Sequence, residues 1–476
     1  MKKVFYLLLL TLISGTVMAQ GHQITVKSAD YKNGIAYLAY YMGENIYIED
    51  SAAISNTGLA MFKGPKKIQP GIYLIVLPDH SKRTDLLIDK EQTMTVSVDT
   101  TDMVNKTLIT GSKENIPYMT YQKYIGAKGK LINDEKQKYM YSLTSADSAI
   151  HKKNIEKYNK EINDYRENII KTNPTSMLAV LLKAMHEVEV LPKNPITHED
   201  SVERYNYYKR HYWDGVTFMD DRIIRTPFFP TMLERYYREV IHPSPDSIIK
   251  DLDYKLLLAR NAPEMYKYLL NWLTDEYIYP KYMGQDAIFV HLFEKYHSQG
   301  LTPWLNEKQK KTIFDRAYSV ITNLIGVKAV NLKMIDSMGK PMPLYDVDAD
   351  YTLVAFWDPQ CGHCKEIVPK VDSVYRASWK AHNVKIYGVL AETEKIRTDW
   401  VNYIKEHQLN DWINVYQTDK MRTALLDSGE MDYHQAYDIR TTPTFYLLDK
   451  EKRIKAKNLT WEQINDLLQV NWKTKP

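Results

Sequence analysis

FWDPQCGHCKEIVP, residues 356–369, contains both cysteines of this 476-residue chain, three positions apart. A zinc site would need four ligands, from a second cysteine pair or from histidines at matched spacing, and the chain offers neither. His363 lies inside the loop between the cysteines and cannot share a tetrahedron with its neighbours. A structural disulfide across so short a loop would contribute little, because loop-closure stabilisation grows with loop length. The reading that remains is a redox couple in an oxidising compartment, placed where the apolar strand TLVAFW runs into a helix N-terminus. The spacing explains the chemistry. Cys361 is expected at the helix N-cap, where unpaired N–H groups and the helix dipole favour a thiolate. Cys364, one turn on, is expected to be buried beneath it and to resolve the mixed disulfide that Cys361 forms. His363 would add a donor or a positive charge beside the Cys361 thiolate.

The N-terminus reads MKKVFYLLLLTLISGTVMAQ, with two lysines before an apolar run from Val4 to Ile13 and Val17-Met18-Ala19 at the end. This predicts a cleaved secretory signal over residues 1–19, with Gln20 as the first mature residue, since the run is short for a membrane anchor. The expected product is an exported, soluble protein of a bacterial periplasm. A chain of 476 residues exceeds one core and predicts two to four domains. The net charge of +4 gives no nucleic-acid signature. Tyrosine is abundant, 37 against 10 Phe and 9 Trp, which predicts many half-buried faces with hydroxyls in water, or else a peptide-binding surface.

Three kinds of sequence follow the signal. From 20 to 111, short runs rich in Ile, Val, Tyr and Thr (ITVKSA, IAYLAYYM, NIYIEDSAAI, GIYLIVLP, DLLID, TMTVSVD) alternate with turn formers such as Asn33-Gly34 and Pro70-Gly71. They predict an all-β domain, an antiparallel sandwich or small barrel. Gly34-x-x-Tyr37-Leu38, Asp50-Ser51-Ala52, Phe62-x-Gly64 and Gly71-x-Tyr73 resemble DUF4369, a domain common on exported thioredoxin-like proteins of Bacteroidetes. From 112 to 326 the period becomes helical. Ile155, Tyr158, Ile162, Tyr165 and Ile169 lay one apolar stripe, Asn173-Pro174 ends that helix, and Thr175 or Ser176 can cap the next. Further helices are expected at 201–212, 228–241, 262–278, 286–297 and 306–325. YKRHYWDGVTFMDDRIIRTPFF (208–229) and YMGQDAIFVHLFEKYHSQG (282–300) resemble DUF5106 of the same exported proteins. His186-Glu187 begins like a zincin helix, but position 190 is Val, so no second histidine completes a zinc site and no metal is expected.

From 327 to 476, strands and helices alternate: TLVAFW, the helix that starts at the cysteines, VKIYGVLA, 394–407, INVYQ, 421–428, TPTFYLLD, RIKAKN and 461–470. With Phe356-Trp357 before the cysteines, Pro369 after them and Thr442-Pro443 before an apolar strand, this region resembles the TlpA/ResA branch of thioredoxin-like thiol-disulfide oxidoreductases. LKMIDSMGKPMPL looks like the extra hairpin of that branch. The resemblance implies a thioredoxin-like α/β domain and a redox enzyme without cofactor. Its substrates would be protein disulfides or thiols, and its electron partner a membrane thiol-disulfide carrier, with the direction of flow and the oligomeric state left open. It implies that Thr442 and Pro443 form the family's cis-proline edge, which binds a substrate strand, and that Trp357 packs beside the active-site loop. Gly-His between the cysteines is also the dipeptide of protein disulfide isomerases, which places the potential about 50 to 100 mV above thioredoxin's roughly −270 mV.

Two positions depart from the pattern. Ala355 stands where thioredoxins carry a buried Asp, and Ile367 where the TlpA/ResA branch carries a Glu that accepts the second cysteine's proton. Glu366 is the nearest acid, rotated by about 100° on the helix, and is the candidate proton acceptor through a water, with Asp358 as the other choice. Thiol peroxidases share the fold but want a Thr where Asp358 stands. A partner-binding or envelope-assembly protein whose β and helical domains carry the main function, with the redox site secondary, is the alternative reading.

Overall fold

The computed structural model describes residues 21–186, 188, 195–392 and 394–474. The expected signal 1–19, Gln20, and Glu187 and Val190 of the zincin-like stretch lie outside them. Packing divides the chain into two compact units, residues up to Ile241 together with Lys255–Tyr268, and His242–Tyr254 together with Leu269 onward. Among the described residues no helix is long and apolar enough to cross a membrane.

In the first unit, strands β1 (His22–Ser28), β2 (Ile35–Met42), β3 (Asn45–Ala53), β4 (Leu59–Gly64), β5 (Gly71–Val76), β6 (Arg83–Ile88), β7 (Thr93–Val98) and β8 (Leu108–Thr110) form two four-stranded sheets, ordered β4-β1-β7-β8 and β3-β2-β5-β6. Alternate residues of both sheets, among them Ile24, Leu38, Phe62, Tyr73 and Val96, share one core, so the domain is a sandwich. Two strands, β4 and β8, were not among the expected runs. The pairing is also not purely antiparallel, because β1 runs parallel to β7. Asn115 joins the sandwich to the helices: its buried amide accepts from the Leu87 N–H (2.8 Å) and donates to the Leu87 carbonyl (2.7 Å), satisfying the outer edge of β6. Helices follow at Asn115–Met140, Ser145–Thr172, Met177–Ala184, His198–His211 and Phe229–Arg235. The stripe from Ile155 to Ile169 lies on the second, where Ile162 is buried, and Ser176 caps the third by accepting from the Ala179 N–H at 3.1 Å. The first of these helices was not singled out in the sequence.

The second unit contains the helices Asp286–Leu292 and Glu307–Val320 and a six-stranded sheet of β9 (Ile335–Asp336), β10 (Tyr351–Trp357), β11 (Val384–Leu390), β12 (Ile413–Tyr416), β13 (Thr444–Asp449) and β14 (Ile454–Lys457), ordered β14-β13-β10-β11-β12-β9. β10, β11 and β12 run parallel, β13 joins β10 and β9 joins β12 antiparallel, and β14 pairs antiparallel with β13 at the edge. β10 lies centrally and is buried on both faces, as a strand covered by helices on two sides must be. Leu353, Ala355 and Trp357 enter one core cluster and Val354 and Phe356 the other, following the two-residue period. The helices Gly362–Ala377, Arg397–Glu406, Asp419–Asp427 and Trp461–Thr474 complete the thioredoxin-like arrangement.

Several tyrosines here do not keep their hydroxyls in water. Tyr387, Tyr437 and Tyr446 are fully buried. Their hydroxyls donate to the carbonyls of Met342 (2.6 Å), Val330 (2.5 Å) and Tyr437 (2.5 Å); the first two fasten the segment before β10, and the third ties Tyr437 to β13.

Helical and sheet residues of this unit also share a buried charge cluster. Lys457 at the end of β14 is 6% exposed and Asp286 5%; the Lys457 ammonium donates to the Asp286 carboxylate and to Asn323 Oδ1. An ammonium so buried is tolerated only with its partner in place. Asp286→Ala is therefore expected to destabilise the protein by about 3–5 kcal/mol, and Lys457→Met added to it to recover most of the loss. Urea unfolding of the two variants is the check. A single variant within about 1 kcal/mol of the parent would show the cluster to be solvated.

Candidate active site

β10 ends at Trp357, and after a short turn Cys361 becomes the N-cap of the helix Gly362–Ala377. The turn is held by the Cys361 N–H donating to the Asp358 carbonyl (3.2 Å) and the Gln360 N–H to Asp358 Oδ1 (2.7 Å). Both cysteines are free thiols, Cys361 partly exposed and Cys364 buried. As a thiol, Cys361 donates to the Thr442 carbonyl at 3.4 Å. Its side chain closes no cap hydrogen bond. Partial burial opposes its ionisation, but the Thr442 side chain and the N–H groups of Cys364 and His363 outweigh that, and the pKa falls below the ordinary thiol value.

Cys364 behaves oppositely. Burial pushes its pKa up to about 12, although the Asp358 N–H reaches its sulfur at 3.5 Å. Its surroundings are apolar: Ala355, Trp357, Val368 and Phe445 belong to the same cluster. Ala355, where thioredoxins place an Asp, is wholly buried.

The sequence-expected residues are placed unequally. Cys361, Cys364, Thr442 and Pro443 meet at one edge, with the Thr442–Pro443 peptide cis. His363 is exposed, and its contribution to Cys361 comes through the main-chain N–H. Glu366 is exposed and spends its carboxylate on Lys370 at 2.7 Å, which holds its pKa below the usual range; the structure does not bring it to the buried Cys364 sulfur. The Asp358 carboxylate is taken up by the Gln360 N–H. Trp357, expected to pack beside the active-site loop and so to take part in substrate binding, is a core residue instead. It is fully buried, 5.3 Å from the Tyr403 ring, and fits because Gly388 lacks a side chain, where a Cβ would lie 3.3 Å from Nε1.

Sequence reasoning missed Tyr403. Its hydroxyl is buried without a hydrogen-bond partner in the cluster that contains Cys364; burial raises its pKa, and any negative charge on Cys364 raises it further. The helical spacing of Trp400, Tyr403 and Ile404 could have shown that this ring faces inward.

With the pKa of Cys361 lowered and that of Cys364 near 12, iodoacetamide is expected to alkylate Cys361 alone in the reduced protein near neutral pH. Its rate should rise with pH with a midpoint below the ordinary thiol value of 9.0, without a second labelled site until pH approaches 12. Peptide mapping that finds Cys364 labelled first would reverse the two roles.

Comparison with known proteins agrees with this architecture. The AhpC/TSA family model matches residues 325–457, DUF5106 matches 148–323 and DUF4369 matches 22–118. The thiol-disulfide oxidoreductase ResA of Bacillus subtilis is 28% identical over 129 residues, which are 27% of this chain and 64% of that protein, just under two thirds of its length. Among solved structures, a domain of a possible thiol-disulfide isomerase from Cytophaga hutchinsonii is 35% identical, covering 32% of this chain and 97% of that one, with a TM-score of 0.27. A thioredoxin-like protein from Bacteroides caccae is 23% identical, covering 60% of this chain and 98% of that one, with a TM-score of 0.45. The C-terminal region, residues 325–457, is thus a thioredoxin-like domain that matches the AhpC/TSA family and is similar to the thiol-disulfide oxidoreductase ResA, and regions matching DUF4369 and DUF5106 precede it.

Proposed function

We propose that this chain is an exported, periplasmic oxidoreductase that exchanges the Cys361–Cys364 dithiol or disulfide with protein substrates. The observation that carries the reading is the asymmetry of the two thiols. Cys361 is partly exposed with a lowered pKa beside the Thr442 carbonyl, and Cys364 is buried with a pKa near 12.

In the reducing direction, the Cys361 thiolate attacks one sulfur of a substrate disulfide. The S–S bond breaks, the other substrate sulfur leaves as a thiolate, and a mixed disulfide joins Cys361 to the substrate. Cys364 loses its proton and attacks the Cys361 sulfur, releasing the second substrate thiolate and leaving Cys361–Cys364 oxidised. Two electrons pass to the substrate. The reverse sequence oxidises a dithiol, and the direction depends on the potential of the electron partner, here expected to be a membrane thiol-disulfide carrier. With Glu366 paired to Lys370 and Ala355 apolar, nothing near Cys364 lowers its pKa to the working range. Resolution is therefore the slow step in this reading. The β-sandwich (20–111) and the helical region (112–326) serve recognition.

Cys364→Ala should accumulate mixed disulfides with its natural partners, which non-reducing gels and mass spectrometry would identify, whereas Cys361→Ser should trap none. The parent should reduce insulin with dithiothreitol as electron source. A parent inactive on insulin and a Cys364→Ala variant that traps nothing would leave the β and helical domains as the main function.

A further inference from the structure

We infer that Tyr279–Gly284, from the helical region, forms one wall of a substrate groove whose other wall is the redox edge, and that its occupant is an extended polypeptide stretch with apolar side chains flanking the cysteine under exchange. The inference rests on the thiol-disulfide reading above.

An open groove of about 910 Å³ lies beside the active-site helix. That is the upper end of the roughly 300–1,000 Å³ usual for ligand pockets. Ile367, Pro443 and Thr444 line it on the redox side, and Tyr279, Tyr282 and Met283 on the helical side. The groove begins one residue beyond the carbonyl that the reacting sulfur meets. Cys361 Sγ is 3.4 Å from the carbonyl of Thr442, and the next residue, Pro443, already lines the groove. A chain whose cysteine reaches Cys361 along that edge therefore has its flanking residues in the groove.

The helical wall is held in place before any substrate arrives. Arg316 Nε donates to the Ile278 carbonyl at 2.9 Å, and its guanidinium pairs with Asp438 at 2.6 Å. The Arg440 guanidinium packs 4.3 Å from the Tyr279 ring centre, and the Lys457 N–H donates to Met283 Sδ at 3.5 Å. Preorganisation of this kind reduces the ordering cost of binding.

The wall's chemistry selects the occupant. Glu366 is answered by Lys370, Asp286 by Lys457, and Asp438 by Arg316 and Arg440, so these charges largely neutralise one another. What stays open is aromatic and apolar surface, Tyr282 at 61% and Met283 at 44% exposed, beside two exposed residues of opposite charge, Lys281 and Glu462. Large apolar side chains left exposed at the rim of a groove mark a binding surface. A near-neutral, apolar-flanked peptide fits such a wall better than a highly charged one.

The test uses the pre-reduced full-length protein in a single turnover, so no outside reductant is needed. The substrates are cysteine disulfide-linked to thionitrobenzoate, either as the blocked single residue or within a short peptide carrying leucine and tyrosine flanks. Release of thionitrobenzoate reports the rate. The peptide is expected to react about tenfold faster than the single residue, equivalent to about 1.4 kcal/mol. Tyr282→Asp and Met283→Asp should each remove most of that preference, read as the ratio of the peptide rate to the single-residue rate in the same variant. A parent without the preference, or variants that keep it, would overturn the groove assignment. A parent that fails to react even with the single residue would instead remove the thiol-disulfide reading, and the groove assignment with it.

Discussion

Burial of β10 on both faces is the constraint from which the redox site follows. Its odd-numbered residues Leu353, Ala355 and Trp357 pack into one cluster and Val354 and Phe356 into the other. Such a strand cannot tilt or slip by one residue without driving an entire face out of its core. Its C-terminal end is thereby fixed, and the helix Gly362–Ala377 begins at a set height above the sheet. Cys361 falls at the rim and Cys364 into the cluster that the strand itself lines. The difference between the two thiols is a consequence of where the strand stops.

That difference has electrostatic content. A helix N-terminus offers N–H groups to an anion at its cap, and Cys361 occupies the cap. One turn deeper, Cys364 meets side chains that cannot solvate charge, so it stays a thiol. Proteins of this fold commonly relieve the second cysteine with a buried acid, and here Ala355 and Ile367 fill the two positions where that acid is expected. The polar groups nearby include the Asp358 N–H, the Thr442 side chain and, in the same cluster, the unpartnered hydroxyl of Tyr403.

Much of the redox site was legible because it is local. The cysteine spacing, the strand leading into a helix and the Thr442-Pro443 dipeptide each carry their meaning within a few residues. Trp357 was expected beside the active-site loop, and its two-residue register with Leu353 and Ala355 places it in the core beneath. Glu366 was considered because it is near in sequence, yet helix geometry turns it to water and to Lys370. The strand β4 and the helix Asn115–Met140 went unseen because each lacks the feature that betrays its neighbours. β4, LAMFKG, has no β-branched residue, and the helix has a weakly amphipathic surface with few buried positions. The wall Tyr279–Gly284 had no local signal at all, since contacts far apart in sequence place it beside Pro443. The tyrosine count was read as half-exposed rings, whereas Tyr387, Tyr437 and Tyr446 find carbonyl partners that only the folded chain supplies.

The buried Lys457–Asp286–Asn323 cluster bears on how such proteins recombine. The recognisable sequence families meet between residues 323 and 325, and a genetic crossover there looks harmless on paper. It would nonetheless unite a lysine from one parent with a carboxylate and an amide from another, in a place where water cannot repair a mismatch. Shuffling at this junction therefore favours parents that retain the same three side chains. The helical stretch and the redox domain are expected to travel through evolution as one heritable block, whatever their family labels imply.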